Sequence, residues 1–141
     1  MLKTNLSLVR QSLDKQITSV DVGSRMARDE MMNTVVQLAK KEMRQDRKDG
    51  IAKAGGPPVV RTGNLRRSVH GIKFDIGFAK YSAVVGPGMI YGRAIELGGS
   101  YSPASWKGTQ AEKLGFPFLA PAYKKFRLVM ADILKKHMVH S

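Results

Sequence analysis

Apolar residues in the first third of the chain follow the spacing of one face of an α-helix. The first set is Leu2, Leu6, Val9, Leu13, Ile17 and Val20. The second set is Met26, Met32, Val35, Val36, Ala39 and Met43. Asp21 or Ser24 suits the cap of a second helix, and Gly50 suits its stop. The pattern predicts an N-terminal helix or arm over 1–22 and a long helix with a linker over 23–56, the two being nearly continuous.

The middle of the chain changes to the period of a β-strand. The segment Gly55-Gly56-Pro57-Pro58 breaks helical structure, because proline restricts the residue before it. Apolar residues then alternate with polar residues or glycine, which predicts a strand with one buried face. The alternating positions are Ile72, Phe74, Ile76 and Phe78. Residues 81–85 are rich in β-formers, so the segment 57–99 is predicted to hold an antiparallel hairpin and a short helix that stops at Gly98-Gly99.

The last two segments differ sharply in pattern. The segment 100–116 has no periodicity and carries Tyr101 and the only tryptophan, Trp106, so we expect an aromatic loop that is either mobile or covered by a neighbour. In 117–141, Pro121 suits the first turn of a C-terminal helix. The apolar stripe of that helix is Ala122, Phe126, Val129, Ile133 and Leu134. The whole pattern predicts one α+β domain, with long N-terminal helices and a C-terminal helix packed on a small antiparallel β-sheet.

Composition narrows the function classes. The chain has 141 residues, enough for one core, and 43% of them are hydrophobic. No run approaches the roughly 20 apolar residues of a membrane span, and the first residues lack the apolar centre of a signal peptide, so no membrane partner is expected. There is no cysteine, which excludes disulfides and thiolate zinc sites. The formal charge of +13 attracts nucleic acid or another acidic partner.

Residues for catalysis are not found in a convincing arrangement. No phosphate-binding loop and no nucleophile elbow occurs in the chain. His70, His137 and His140 have no carboxylate beside them in the sequence. Glu96 is a lone acid in a basic chain, which is more often an ion-pair partner than a base. We therefore expect no catalytic residue, cofactor or metal site. An enzyme, for example a nuclease, ranks third among the functional hypotheses, after the two given below.

Three segments resemble motifs of one phage protein family. Arg61–Ser68 resembles a V-x-T-G-x-L-R-x-S turn, Tyr91–Gly98 a Y-A-x-x-x-E-x-G segment, and Phe116–Ala122 a P-F-L-x-P-A entry into a helix. In this order they resemble the phage proteins variously called tail-completion, minor tail or head-to-tail connector proteins. The chain departs from that pattern at Gly92, where alanine is common, and at Gly99-Ser100, where threonine is usual, so the interface after Glu96 is expected to differ.

The resemblance implies a structural ring subunit and not an enzyme. It implies a place in the virion, at the tail or the head-to-tail joint after assembly in the host cytoplasm, with neighbouring tail and connector proteins as partners. A hexamer is the expectation from tail symmetry, with non-specific contact to DNA in the lumen. The motif residues it singles out are Thr62, Gly63, Leu65, Tyr91, Glu96, Gly98, Phe118, Pro121 and Ala122.

Two alternatives stay open beside the resemblance. The motif residues are also explained by structure alone, with Thr62-Gly63 as a turn and with Tyr91 and Leu97 in the core. Phe116, Phe118 and Tyr123 then anchor the last helix against the sheet. Trp106 and Tyr101 are then the expected assembly contacts, because aromatic side chains on a polar segment gain most from burial against a partner. The second functional hypothesis is a small basic protein that binds nucleic acid in a salt-dependent way.

Overall fold

A computed structural model describes residues 2–43, 54–58, 63–101 and 103–138. The predicted α+β class is confirmed, since a long N-terminal helix and a C-terminal helix flank one two-stranded antiparallel sheet. Thr62, Gly50 and His140 lie outside the described residues. No helix within the described ranges is both long enough and apolar enough to cross a bilayer.

The first helix, α1, is continuous over Leu2–Glu42, 41 residues in all. The nearly continuous arrangement is therefore found, and a cap at Asp21 or Ser24 is wrong. The Ser24 hydroxyl instead donates to the carbonyl of Val20 within the helix, at 2.7 Å. Gly23 is tolerated inside α1 because another helix passes close to it, where a Cβ would lie 2.7 Å from the carbonyl oxygen of His137.

The hairpin follows a single helical turn. Gly63, with a φ of 76°, precedes the short helix α2, Asn64–Ser68, and only glycine adopts that conformation easily. Strands β1, Val69–Gly77, and β2, Lys80–Pro87, pair antiparallel as predicted. Ile72 pairs with Val84 in this register, which places the two side chains on the same face of the sheet.

The predicted burial of the hairpin is wrong. Ile72, Phe74 and Ile76 are between 46 and 70% exposed. The opposite face packs on α1: Met32 occupies the place where a side chain at Gly71 would lie, and a charged seam continues from there towards the turn. The reason lies in α1, whose surface towards the hairpin is charged as well as apolar and therefore matches the polar face of β1.

The segment after the hairpin is more regular than predicted. Helix α3, Gly92–Leu97, ends at Gly98 as expected. The segment 100–116 is not a plain loop, because it contains two 3₁₀ turns, Gly99–Tyr101 and Ala104–Trp106, and then helix α4, Gln110–Leu114. The Glu112 carboxylate accepts a hydrogen bond from the backbone N–H of Gly108 at 2.7 Å, which closes the start of α4.

The C-terminal helix α5, Leu119–Met138, runs antiparallel to the second half of α1 and builds the core with it. The buried core residues are Ala39, Met43, Val69, Phe118 and Ala122. In the predicted stripe, Phe126 and Ile133 are buried, whereas Val129 and Leu134 are exposed. Tyr91 and Leu97 are also exposed, so the interpretation of these two as core residues is wrong.

Candidate interaction site

Two of the segments that resemble motifs of the phage family, Tyr91–Gly98 and Phe116–Ala122, meet at the start of α5. The carboxylate of Glu96 on α3 accepts three backbone hydrogen bonds from this helix end. The donors are the N–H groups of Phe118 (2.8 Å), Leu119 (3.0 Å) and Ala120 (3.0 Å). Pro121 has no N–H to satisfy, so every backbone donor ahead of the first intrahelical bond is accounted for. Glu96 is thus the cap of α5.

This role corrects the interpretation of Glu96 as an ion-pair partner. Within the described residues no basic side chain lies at ion-pair distance from it, and its charge faces the positive end of the α5 dipole instead. The bond network joins α3 to α5 across 22 residues of sequence. Glu96 therefore sets where α5 begins and how α3 lies against it.

Gly98 lets the chain turn tightly beside this cap. Its φ is 60°, and its N–H donates to the carbonyl of Ala94 at 2.8 Å. A Cβ at Gly98 would lie 2.6 Å from the carbonyl oxygen of Glu112, so the backbones of α3 and α4 touch here. The N–H of Phe116 closes the same contact by donating to the carbonyl of Ile95 at 2.5 Å.

We expect Gly98→Ala to destabilise the protein by about 1–3 kcal/mol more than Gly99→Ala. Both glycines have a positive φ, but a Cβ at Gly99 meets nothing within 4 Å. The difference between the two variants therefore isolates the backbone contact from conformational strain. Urea unfolding followed by circular dichroism measures it, and equal losses in the two variants would contradict the contact.

The other motif residues have separate positions. Leu65 packs against the core, and Gly92 lies so close to Pro87 that a side chain there would overlap the proline ring. The departure from alanine at Gly92 thus has a local packing reason. Tyr101 lies in a 3₁₀ turn. Trp106 is half-buried, with its ring edge-on to Phe116 at a centroid distance of 5.3 Å, so part of its surface is already used inside the chain.

A polar seam joins α1 to the hairpin. Asp21 accepts hydrogen bonds from the Tyr81 hydroxyl at 2.5 Å and from the Ala79 N–H at 3.2 Å, which lower the pKa of its carboxyl group. Lys73 donates to Asp29 at 2.9 Å and lowers the pKa of that carboxyl group. The Arg28 guanidinium belongs to the same seam, because it donates hydrogen bonds to the carboxylates of Asp29 and Asp75 and to the carbonyl of Phe74.

A second set of charged contacts joins α1 to α5. The Glu30 carboxylate lies 2.5 Å from Nε2 of His137 and 3.0 Å from the Lys136 ammonium, and both lower the pKa of Glu30. His137 therefore does lie beside a carboxylate, which the sequence spacing does not reveal. Glu42 pairs with Lys125 further along. Many of the acidic residues are paired in these contacts, so exposed basic side chains remain on the described part of the surface without a carboxylate to pair with.

One line of that charge follows α5. Lys124, Arg127 and Lys135 are exposed and lie on one side of the helix. None of the described carboxylates lies at ion-pair distance from any of the three. We call this set the basic ridge. It is a surface suited to phosphate groups or to an acidic protein.

Two apolar surfaces are exposed in the structure, although apolar faces of helices and strands are ordinarily buried. The first, the arm stripe, is formed by Leu6, Val9, Leu13, Ile17 and Val20, which are 38–67% exposed. The second, the outer hairpin face, is formed by Ile72, Phe74, Ile76 and Val84. The face of β1 that contacts α1 is identified by two charged residues, Lys73 and Asp75, which match charged residues on α1.

The described residues also form an apolar groove. A groove of about 540 Å³ between α1, β2 and α5 is lined mainly by apolar side chains, among them Met31 and Phe126. In the parts of the chain that the structure covers, no three metal-binding side chains come together. Comparisons with known proteins found no matching family, no matching curated protein and no matching solved structure.

Proposed function

We propose that this chain is a structural subunit that assembles into a closed ring at the phage head-to-tail joint or tail. The observation that carries the proposal is the pair of exposed apolar surfaces, the arm stripe and the outer hairpin face. Monomeric soluble proteins rarely leave large contiguous apolar surfaces in water. Two different surfaces on one chain suit heterologous contacts, in which one surface of a subunit binds the other surface of the next. Such contacts generate a ring when the rotation between subunits closes.

The motif residues support the same role. Glu96, Gly98 and Phe118 hold backbone and core in place and present no group to a substrate. A rigid junction of this kind suits a protein that acts by shape and by complementary surfaces, without turnover. The expected partners are further copies of the chain, six in number from tail symmetry, together with neighbouring tail and connector proteins in the virion.

Mass measurement in solution tests the ring. We expect light scattering and native mass spectrometry of the full chain to give one closed oligomer over a range of protein concentrations, because a ring has no free ends. Electron microscopy should show an open centre. A chain that stays monomeric at high concentration, both alone and with tail proteins of its phage, would contradict the proposal.

The basic ridge favours a second candidate, a protein that binds nucleic acid on its own. Such binding weakens steeply as salt rises, because each neutralised phosphate releases counterions. Glutamine at Lys124, Arg127 and Lys135 should then abolish binding to a short DNA duplex, whereas glutamine at the exposed Lys15, Lys107 and Lys113 makes the same charge change elsewhere. Tight binding by a stable monomer would favour this candidate over the ring.

A further inference from the structure

We infer that the arm stripe of one subunit lies on the outer hairpin face of the next subunit. This inference rests on the proposed ring and names the contact that closes it. A second copy of this chain is then the partner of both apolar surfaces. The arm stripe and the outer hairpin face, in place of Trp106 and Tyr101, are the main assembly contacts.

The arm stripe cannot contact the outer hairpin face of its own chain. Helix α1 passes the hairpin turn at Asp21, which binds Tyr81 and Ala79 there, and then continues without a break towards Leu2. The residues before Asp21 therefore project beyond the body by roughly 30 Å, at 1.5 Å per residue. The outer hairpin face also looks away from α1, because α1 covers the opposite face of the same sheet.

The two surfaces are similar in size. From the fractional exposure of their side chains, each presents on the order of 500 Å² of accessible surface, so one contact buries about 1,000 Å² in total, near the lower limit of a stable interface. The arm from Leu6 to Val20 spans roughly 21 Å as a helix. The apolar positions of β1, from Ile72 to Ile76, span about 14 Å as a strand, so the arm is long enough to cover them.

Coverage of both surfaces favours a contact between arm and hairpin over a contact between two arms. Two arms that paired with each other would bury both arm stripes and leave the outer hairpin faces in water. A contact between arm and hairpin buries one surface of each kind, and in a closed ring no copy is left over. It also gives the two-stranded sheet a helix on each face, as an apolar sheet face requires.

Disulfide trapping tests the contact, and the chain has no cysteine of its own. Leu13→Cys is mixed in turn with Ile72→Cys, Phe74→Cys and Ile76→Cys and oxidised gently at assembly concentration. We expect disulfides between arm and hairpin chains in at least one mixture, well above the level in a control mixture with Lys107→Cys. A chain that carries both the arm and the hairpin cysteine should give a ladder of cross-linked copies that ends at the ring number.

Three results would overturn the inference. Capture of Leu13→Cys chiefly by a second Leu13→Cys chain would assign the arms to each other. Cross-linking at the control level in every hairpin mixture, while light scattering still shows the oligomer, would exclude this contact and leave the ring standing. A monomer in light scattering would remove the inference together with the proposed function. Unfolding curves of each variant establish that the fold is retained.

Discussion

Phe118→Ala is expected to lower the free energy of unfolding by about 4 kcal/mol. The Phe118 ring is fully buried at 0% exposure and lies in the core where α5 meets α1 and β1. Its removal leaves a cavity beside Val69 and Met43, which costs lost contacts as well as lost transfer free energy. Since a domain of this size is stable by only about 5–15 kcal/mol, this single change removes a large part of the total.

Phe78→Ala is the matched control, because it removes the same atoms from a ring that is 59% exposed at the hairpin turn. We expect it to cost less than about 1 kcal/mol. Both variants are measured by urea unfolding at several protein concentrations, so that any contribution from assembly appears as a concentration dependence. Similar losses for the two variants at low concentration would show that Phe118 is not the centre of the core.

Glu96→Ala should have the second largest effect, a loss of about 3 kcal/mol. The substitution leaves three backbone N–H groups at the start of α5 without an acceptor and removes a negative charge from the positive end of the helix. Glu96→Gln keeps one oxygen that can accept a hydrogen bond and should lose about half as much. The order of the three proteins is therefore wild type, Gln variant, Ala variant in falling stability.

Asp132→Asn controls for the change in net charge. Asp132 is exposed on α5, and its replacement should stay within about 0.5 kcal/mol of the wild type. Amide hydrogen exchange locates the effect, since loss of the cap should speed exchange at Leu119 and Ala120 before it does so at the centre of α5. Uniform faster exchange along α5, with no bias to its first turn, would argue against a capping role.

In the proposed ring, Phe118 and Glu96 connect the core to assembly. Phe118 fixes α5 on α1, and Glu96 fixes α3 on α5, so together they hold the hairpin and the arm in one orientation. A ring closes only when the angle between its two contact surfaces is constant from subunit to subunit. In the proposed ring the motif residues support assembly from inside the subunit, while the surfaces proposed to touch a neighbour lie elsewhere.

Local signals explain what was predictable. The period of the apolar residues identifies α1 and α5, the alternation identifies β1, and Gly98 and Pro121 stand at helix ends where their backbone properties are suited. Each of these signals involves residues within a few positions of one another. The prediction of two helices in place of α1 rested only on Asp21 and Ser24 as possible caps. Asp21 instead binds Tyr81, and Ser24 donates to a carbonyl within α1.

The buried face of the hairpin was not predictable from β1 alone. Alternation shows that a strand has two unlike faces, and the apolar one is ordinarily buried. Here the face that contacts α1 is the polar one, because Asp75 and Lys73 pair with Arg28 and Asp29 while staying partly exposed, and Met32 fits against Gly71. That match joins residues about 40 positions or more apart, so β1 alone does not reveal it.

The sequence by itself determined the α+β class, the hairpin, the helix ends at Gly98 and near Pro121, and the residues that resemble a phage family. Only the tertiary structure decided that Glu96 caps α5, that Phe118 is the fully buried one of the expected aromatic anchors, and that the arm stripe and the outer hairpin face are left exposed. The physical reason is range: helix and strand preferences act between near neighbours, whereas burial and capping depend on which distant residues arrive at the same place.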